Sequence, residues 1–154
     1  MVEAVSQAKF KFCYIMRGMP GSGKSTIAKQ LAGTTGVILT LETSVVRNAI
    51  KGQSTSDGFE ETLDKHFKEF CDELEKATPI IVVDNVNIRE SEYLHFIEEA
   101  QKMHYFVSVV STPPPASLEL AAERSTIDIT AVDLHKLTHM YEPLSLERLA
   151  KKTT

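Results

Sequence analysis

Nine residues constrain this 154-residue chain most: Gly18-Met19-Pro20-Gly21-Ser22-Gly23-Lys24-Ser25-Thr26. They form a complete G-x-x-x-x-G-K-[ST] phosphate loop. The apolar stretch before it, Phe10 to Met16, reads as a buried strand. After it, Ile27, Ala28, Leu31 and Ala32 recur at helical spacing. A strand–loop–helix context is what the motif requires to hold phosphate. Glycine permits backbone angles closed to other residues and lets the backbone approach an oxyanion. A helix N-terminus adds unpaired amides and a favourable dipole. Gly18 through Thr26 are thus the expected nucleotide cradle, with Lys24 on the β- and γ-phosphates and Ser25 on Mg²⁺. The bland alternative is a glycine-rich turn that matches by chance.

The flanking pattern alternates strand and helix. Val37 to Leu41 reads as strand two, ending at Glu42, and a short helix follows over 44–51. Phe59, Leu63, Phe67, Phe70 and Leu74 repeat every three or four positions and mark a long amphipathic helix. Its many acidic residues read as a solvated face. Ile80 to Val83, closed by Asp84, is a continuous apolar run, the pattern of a central parallel strand. A helix over 90–103, a strand over 105–111 and two helices over 117–124 and 131–141 follow, with Thr130 and Asp133 as a capping pair. A last short helix is expected from Ser145. The expectation is an α/β, three-layer phosphate-loop fold with a parallel sheet of about four to five strands flanked by helices. Ligands in such sheets bind beyond the C-terminal strand ends, where Gly18, Glu42 and Asp84-Asn85 fall.

Composition narrows the class. The length suits one domain, with residues 1–8 as a lead-in and 117–141 as lid and C-terminal helices. No apolar run reaches the roughly 20 residues that span a bilayer, so no membrane partner is expected. Two cysteines, Cys13 and Cys71, suggest core thiols and a cytoplasmic setting. The net charge of −4 argues against a broad basic face for long nucleic acid, though not against a local basic cleft. Arg17 reads as a surface or strand-end ion pair. The five histidines lack ligand spacing to Cys or carboxylate, and His135 and His139 share a helix face.

RGMPGSGKST, VILTLET, IIVVDNVNI, ELAAERS and a terminal MYEP together resemble the polynucleotide kinase branch of P-loop kinases. They also resemble the P-loop domain of 2′,3′-cyclic-nucleotide 3′-phosphodiesterases, whose paired H-x-[ST] motifs have no counterpart here. The resemblance implies ATP and Mg²⁺, with Lys24 on the terminal phosphates and Ser25 and Asp84 serving the metal. Glu42 takes the place of the family's Asp as the base for the acceptor hydroxyl, and Thr43 replaces a second acid. Arg47 is the nearest candidate for the acceptor-strand arginine, displaced by about two positions. Asn85 and Asn87 fix the loop and contact the acceptor. Arg124 matches the first lid arginine, and no second one lies near 126–128.

Three functions are open on sequence alone. One is an ATP-dependent kinase for a hydroxyl, with RNA or DNA 5′ ends as partners. The second is a kinase for a small metabolite or nucleoside. The third is a nucleotide-binding module with weakened catalysis, which includes one domain of a larger RNA-processing polypeptide.

Overall fold

The computed structural model describes residues 10–50 and 58–145. Four parallel strands form one sheet: β1 (Phe12–Arg17), β2 (Val37–Leu39), β3 (Ile80–Asp84) and β4 (Phe106–Ser111), in the spatial order β2-β3-β1-β4. The six helices among the described residues are α1 (Lys24–Ala32), α2 (Glu42–Ile50), α3 (Phe59–Glu75), α4 (Glu90–Lys102), α5 (Leu118–Arg124) and α6 (Ala131–Met140). The register pairs Phe12 with Ile80 and Phe106, and Met16 with Asp84 and Val110. All strands therefore end on one side, and the expected α/β architecture holds with four strands.

Strand alternation explains the layers. Cys13 and Ile15 of β1, with Ile81 and Val83 of β3, face α3 and α4 and pack on Phe70, Leu74, Tyr93, Phe96 and Ile97. Met16 and Val82 face the other way, onto Ala28 and Ala32 of α1. A third cluster sits beyond the strand ends: Met19, Val46, Val86 and Ile88 pack against Ala121, Ile127, Ile129, Leu134 and Leu137. This cluster fastens α2, α5 and α6 to the rim of the sheet. The capping pair is in place, since Thr130 Oγ1 accepts from the Asp133 amide while Asp133 accepts from the Thr130 amide.

Two element boundaries around strand two differ from the sequence reading. Strand two stops at Leu39, and Glu42 opens α2 instead of ending β2. The helix starts there because the β2–α2 connection turns at Thr40–Leu41, and Leu41 then receives the Val45 amide at 3.1 Å as the first helical bond. The loop expected over 52–56 lies outside the described residues, as does nearly all of the helix expected from Ser145.

Arg17 is also corrected. It is 1% exposed and has no carboxylate partner among the described ion pairs. Its guanidinium donates to the carbonyls of Asn87 (2.8 Å), Ile88 (3.0 Å) and Glu142 (2.6 Å). The rings of Tyr93 and Tyr141 lie 4.8 and 4.4 Å from its carbon. A buried guanidinium thus ties the end of β1 to the β3–α4 loop and to the segment after α6. The five planar donors of arginine make this possible. The cation–π geometry adds attraction in a desolvated place.

Two stability predictions follow from these contacts. Arg17→Met leaves three carbonyls short of a donor, and should cost roughly 2–4 kcal/mol in urea unfolding. A change below roughly 0.5 kcal/mol would remove the tie from this account. Gly21 has φ of +78°, and a Cβ there would lie 2.0 Å from the Ala121 carbonyl oxygen. Gly21→Ala should therefore push α5 off the loop and lower the thermal midpoint by several degrees.

Candidate nucleotide and acceptor site

The site begins where β1 runs out. The chain curls through Gly18–Gly23 and enters α1 at Lys24, with the Gly18 amide bonded to the Val86 carbonyl at 3.2 Å and the Ser22 amide to the Met19 carbonyl at 3.2 Å. Gly23 is the N-cap, at φ 87°, and no side chain caps the helix. A Cβ at Gly23 would meet nothing within 4 Å. The loop thus leads into an uncapped helix start that is open at Gly23, where the first amides have no intrahelical partner. That is the arrangement an oxyanion needs. The hydroxyls of Ser22 and Thr112 lie 2.7 Å apart and pin the loop to the end of β4.

Lys24 points inward and is 3% exposed. Its ammonium donates to Glu42 Oε1 and, at 3.0 Å, to Asp84 Oδ1. Ser25 Oγ donates to Asp84 Oδ2 at 2.9 Å. Residues from α1, the start of α2 and the end of β3 therefore meet at one point. Burial pushes the Glu42 carboxyl above its ordinary value, against the pull of the Lys24 charge. The donor set fits a triphosphate with a divalent cation: an ammonium and open amides for anionic oxygens, and hard oxygens of Ser25 and Asp84 for the metal.

The remaining sequence candidates divide. Asn85 is buried: its Oδ1 accepts from the Leu41 amide at 2.6 Å and its Nδ2 donates to His66 Nε2 at 3.2 Å. Asn87 has its amide nitrogen on the Met16 carbonyl at 2.7 Å, and its own carbonyl on Arg17. Both fix the loop after β3, and both line a cleft of about 700 Å³. Arg47 is exposed on α2 and is absent from the residues that line this cleft. Val46, its neighbour, is the α2 residue buried in the core, and that turns Arg47 outward. Arg124 ends α5 and is also exposed, whereas Ala121 on the same helix packs on the loop. Met19 is buried in the cluster beyond the strands, and Ser25 and Thr26 lie on the exposed side of α1.

The cleft runs from Leu41 and Asn85 outward between α2, α3 and α4. Val45 and Ala49, Phe59, His66 and Phe67, and Arg89, Glu92 and His95 form much of its wall. Two participants escaped the sequence reading. His66 was grouped with scattered helix histidines, although its spacing from Phe70 and Leu74 places it on the buried side of α3. Thr112 carried no signal, since a threonine after a strand is commonplace. His135 and His139 face each other on α6 with Nε2 atoms 3.1 Å apart and both side chains exposed. Among the described residues no group of three or more His, Cys, Asp or Glu could hold a metal ion. No described helix is long and apolar enough to cross a membrane.

Known proteins share this architecture. No curated protein sequence matches the chain. Solved structures do. Kti12 from Chaetomium thermophilum, in complex with ADP-AlF3, matches at a TM-score of 0.58 and 16% identity over 86% of this chain and 81% of that one. A gluconokinase from Sinorhizobium meliloti 1021 matches at 0.52 and 16%, over 94% and 90%. A chain of the Pnkp1/Rnl/Hen1 RNA repair complex matches at 0.58 and 18%, over 94% of this chain but 46% of that one. At these identities the likeness is one of fold: a parallel sheet with a phosphate loop, as in P-loop kinases. The AAA domain family model covers residues 14–144, and the chain belongs to that family.

Proposed function

We propose that this protein is an ATP-dependent phosphotransferase that moves a γ-phosphate onto a hydroxyl group. One observation carries the reading: Lys24, Ser25, Glu42 and Asp84 converge at the open phosphate loop beyond the strand ends. In phosphoryl transfer the protein's work is positioning and charge stabilisation. The loop amides and Lys24 hold the triphosphate tail, and the cup of Gly18 to Thr26 orients its last phosphate. Ser25 and Asp84 would hold Mg²⁺, which supplies neutralisation of the phosphate oxygens. Glu42 accepts the proton of the attacking hydroxyl. When a phosphate takes the Lys24 ammonium, the carboxylate is released toward the cleft. Its raised pKa brings it closer to the range where a base works at neutral pH.

The cleft beside Leu41 and Asn85 is the proposed acceptor site. The 5′-hydroxyl of an RNA or DNA end is the favoured acceptor, supported by the motif resemblance and by the shared fold with the RNA repair chain. A small-molecule acceptor is the second reading. The cleft volume of about 700 Å³ supports it, since that is the usual scale of a small-ligand pocket. A weakened module of a larger RNA-processing polypeptide is the reading that failure of transfer would favour. The exposure of Arg124 and the lack of a second arginine at 126–128 support it.

The test is transfer of labelled γ-phosphate to oligonucleotides bearing a 5′-hydroxyl and to a panel of nucleosides and sugars. Lys24→Ala should reduce transfer by at least roughly a hundredfold, and Glu42→Gln by roughly ten- to a thousandfold. Label that survives Lys24→Ala unchanged would end the proposal. The pH profile gives a second check. Glu42 must be ionised to accept a proton, so kcat should fall as pH drops through its raised pKa. The acid limb should therefore lie above the ordinary carboxyl value of 4.5. A rate that stays flat from pH 7 to pH 4 would contradict Glu42 as the base.

A further inference from the structure

We infer that His66 is a positioning residue for Glu42, acting through the side chain of Asn85 and the backbone of Leu41. The inference rests on the reading of Glu42 as the base. Asn85 bridges two elements: it donates from Nδ2 to His66 Nε2 at 3.2 Å and accepts at Oδ1 from the Leu41 amide at 2.6 Å. An amide nitrogen can only donate, so His66 Nε2 must carry a free lone pair and the ring proton sits on Nδ1. The direction of every bond then follows. The Leu41 N–H can only donate and so takes the Asn85 oxygen, while the lone pair on His66 Nε2 holds the other end of the same amide in place.

Leu41 is the residue before Glu42, at the turn from β2 into α2. The Asn85 bond fastens that turn to the end of β3, one residue past Asp84. It thereby sets the start of α2, where the Glu42 carboxylate meets Lys24. His66 reaches the relay from a third element. It is buried on α3, and its ring lies edge-on to Phe96 of α4 at 5.7 Å, which restrains its rotation. A base that must take a proton in line needs its position held to a fraction of an ångström.

The relay has a built-in condition. Protonated His66 would offer a donor to the donating Asn85 amide. Turning the Asn85 amide over would restore that contact, but would then present an NH₂ group to the Leu41 N–H. Either way one bond is lost, and the start of α2 is released. The ring is kept neutral by burial chiefly, and by His95 on α4, while Glu69 on α3 opposes them. Asp64 of α3, Arg89 at the start of α4 and Glu92 in its first turn are the other charged groups around the cleft wall. His66 is therefore neutral at pH 7 and gains its proton only below its ordinary value of 6.5.

The experiment uses two variants of the full chain. His66→Gln can keep an acceptor near the Nε2 position, and His66→Leu cannot. Backbone amide exchange in the native state is read at Leu41, with the Val82 amide of the central strand as a control. Phosphate transfer and ATP affinity are read in parallel. His66→Leu should speed exchange at Leu41 at least tenfold with Val82 unchanged. It should lower kcat at least tenfold and leave the ATP dissociation constant within twofold. His66→Gln should hold Leu41 protection within threefold of the wild type at pH 7. The inference is overturned by an unchanged Leu41 amide in His66→Leu, or by equal loss at Leu41 and Val82. If the wild type transfers no phosphate, the proposed function fails, while amide exchange still decides the relay.

Discussion

Everything in this molecule depends on where one ammonium group sits. Lys24 is buried between the Glu42 and Asp84 carboxylates at the mouth of a parallel sheet. A buried cation is expensive unless it is paired, and here two acids meet it, one opening α2 and one ending β3. The pairing draws the start of α2 onto the phosphate loop, and the Ser25 hydroxyl joins from the loop side. Two carboxylates thus satisfy Lys24, and Ser25 is tied to one of them, Asp84. Under the proposed function, a bound phosphate takes the place of the carboxylates on Lys24, and that exchange frees Glu42.

The sheet makes this meeting possible. Because all strands run the same way, the residues after β1 and β3, and those past β2, open on a common edge. The cluster of Met19, Val86, Ile88 and the apolar residues of α5 and α6 then roofs that edge with a packed layer. Arg17 fastens the same rim from beneath, through three backbone carbonyls. Its role is to hold the β3–α4 loop and the end of α6 in place, which keeps the cleft wall fixed relative to the loop.

The fold was largely readable from the chain because its signals are local. The loop motif, the IIVVD run and the Phe59–Leu74 stripe each report a period or a turn chemistry that no distant contact overrides. The sequence reading failed where tertiary contacts decide. Arg17 looks like any strand-end cation, and only the distant carbonyls of Asn87, Ile88 and Glu142 reveal its burial. Glu42 was read as a strand end because β-branched and apolar residues continue to Leu41, whereas a side-chain bond from Asn85 breaks the strand there. Arg47 is only the arginine nearest the position that the resemblance implies, and the burial of Val46 sets the rotation of α2 and turns it outward. His66 was within reach of the periodicity argument, since it falls at helical spacing from Phe70 and Leu74. Its bond to Asn85 was not, because nineteen residues and a strand separate them.

The central claim is that Lys24 and the loop amides seat a triphosphate. Calorimetric titration with ATP and Mg²⁺ tests it most directly, comparing the wild-type protein with Lys24→Ala. The account predicts saturable one-site binding that weakens at least roughly tenfold when the ammonium is removed, a loss of about 1.4 kcal/mol or more. Equal affinity in the two proteins, or no binding by the wild type, would contradict it.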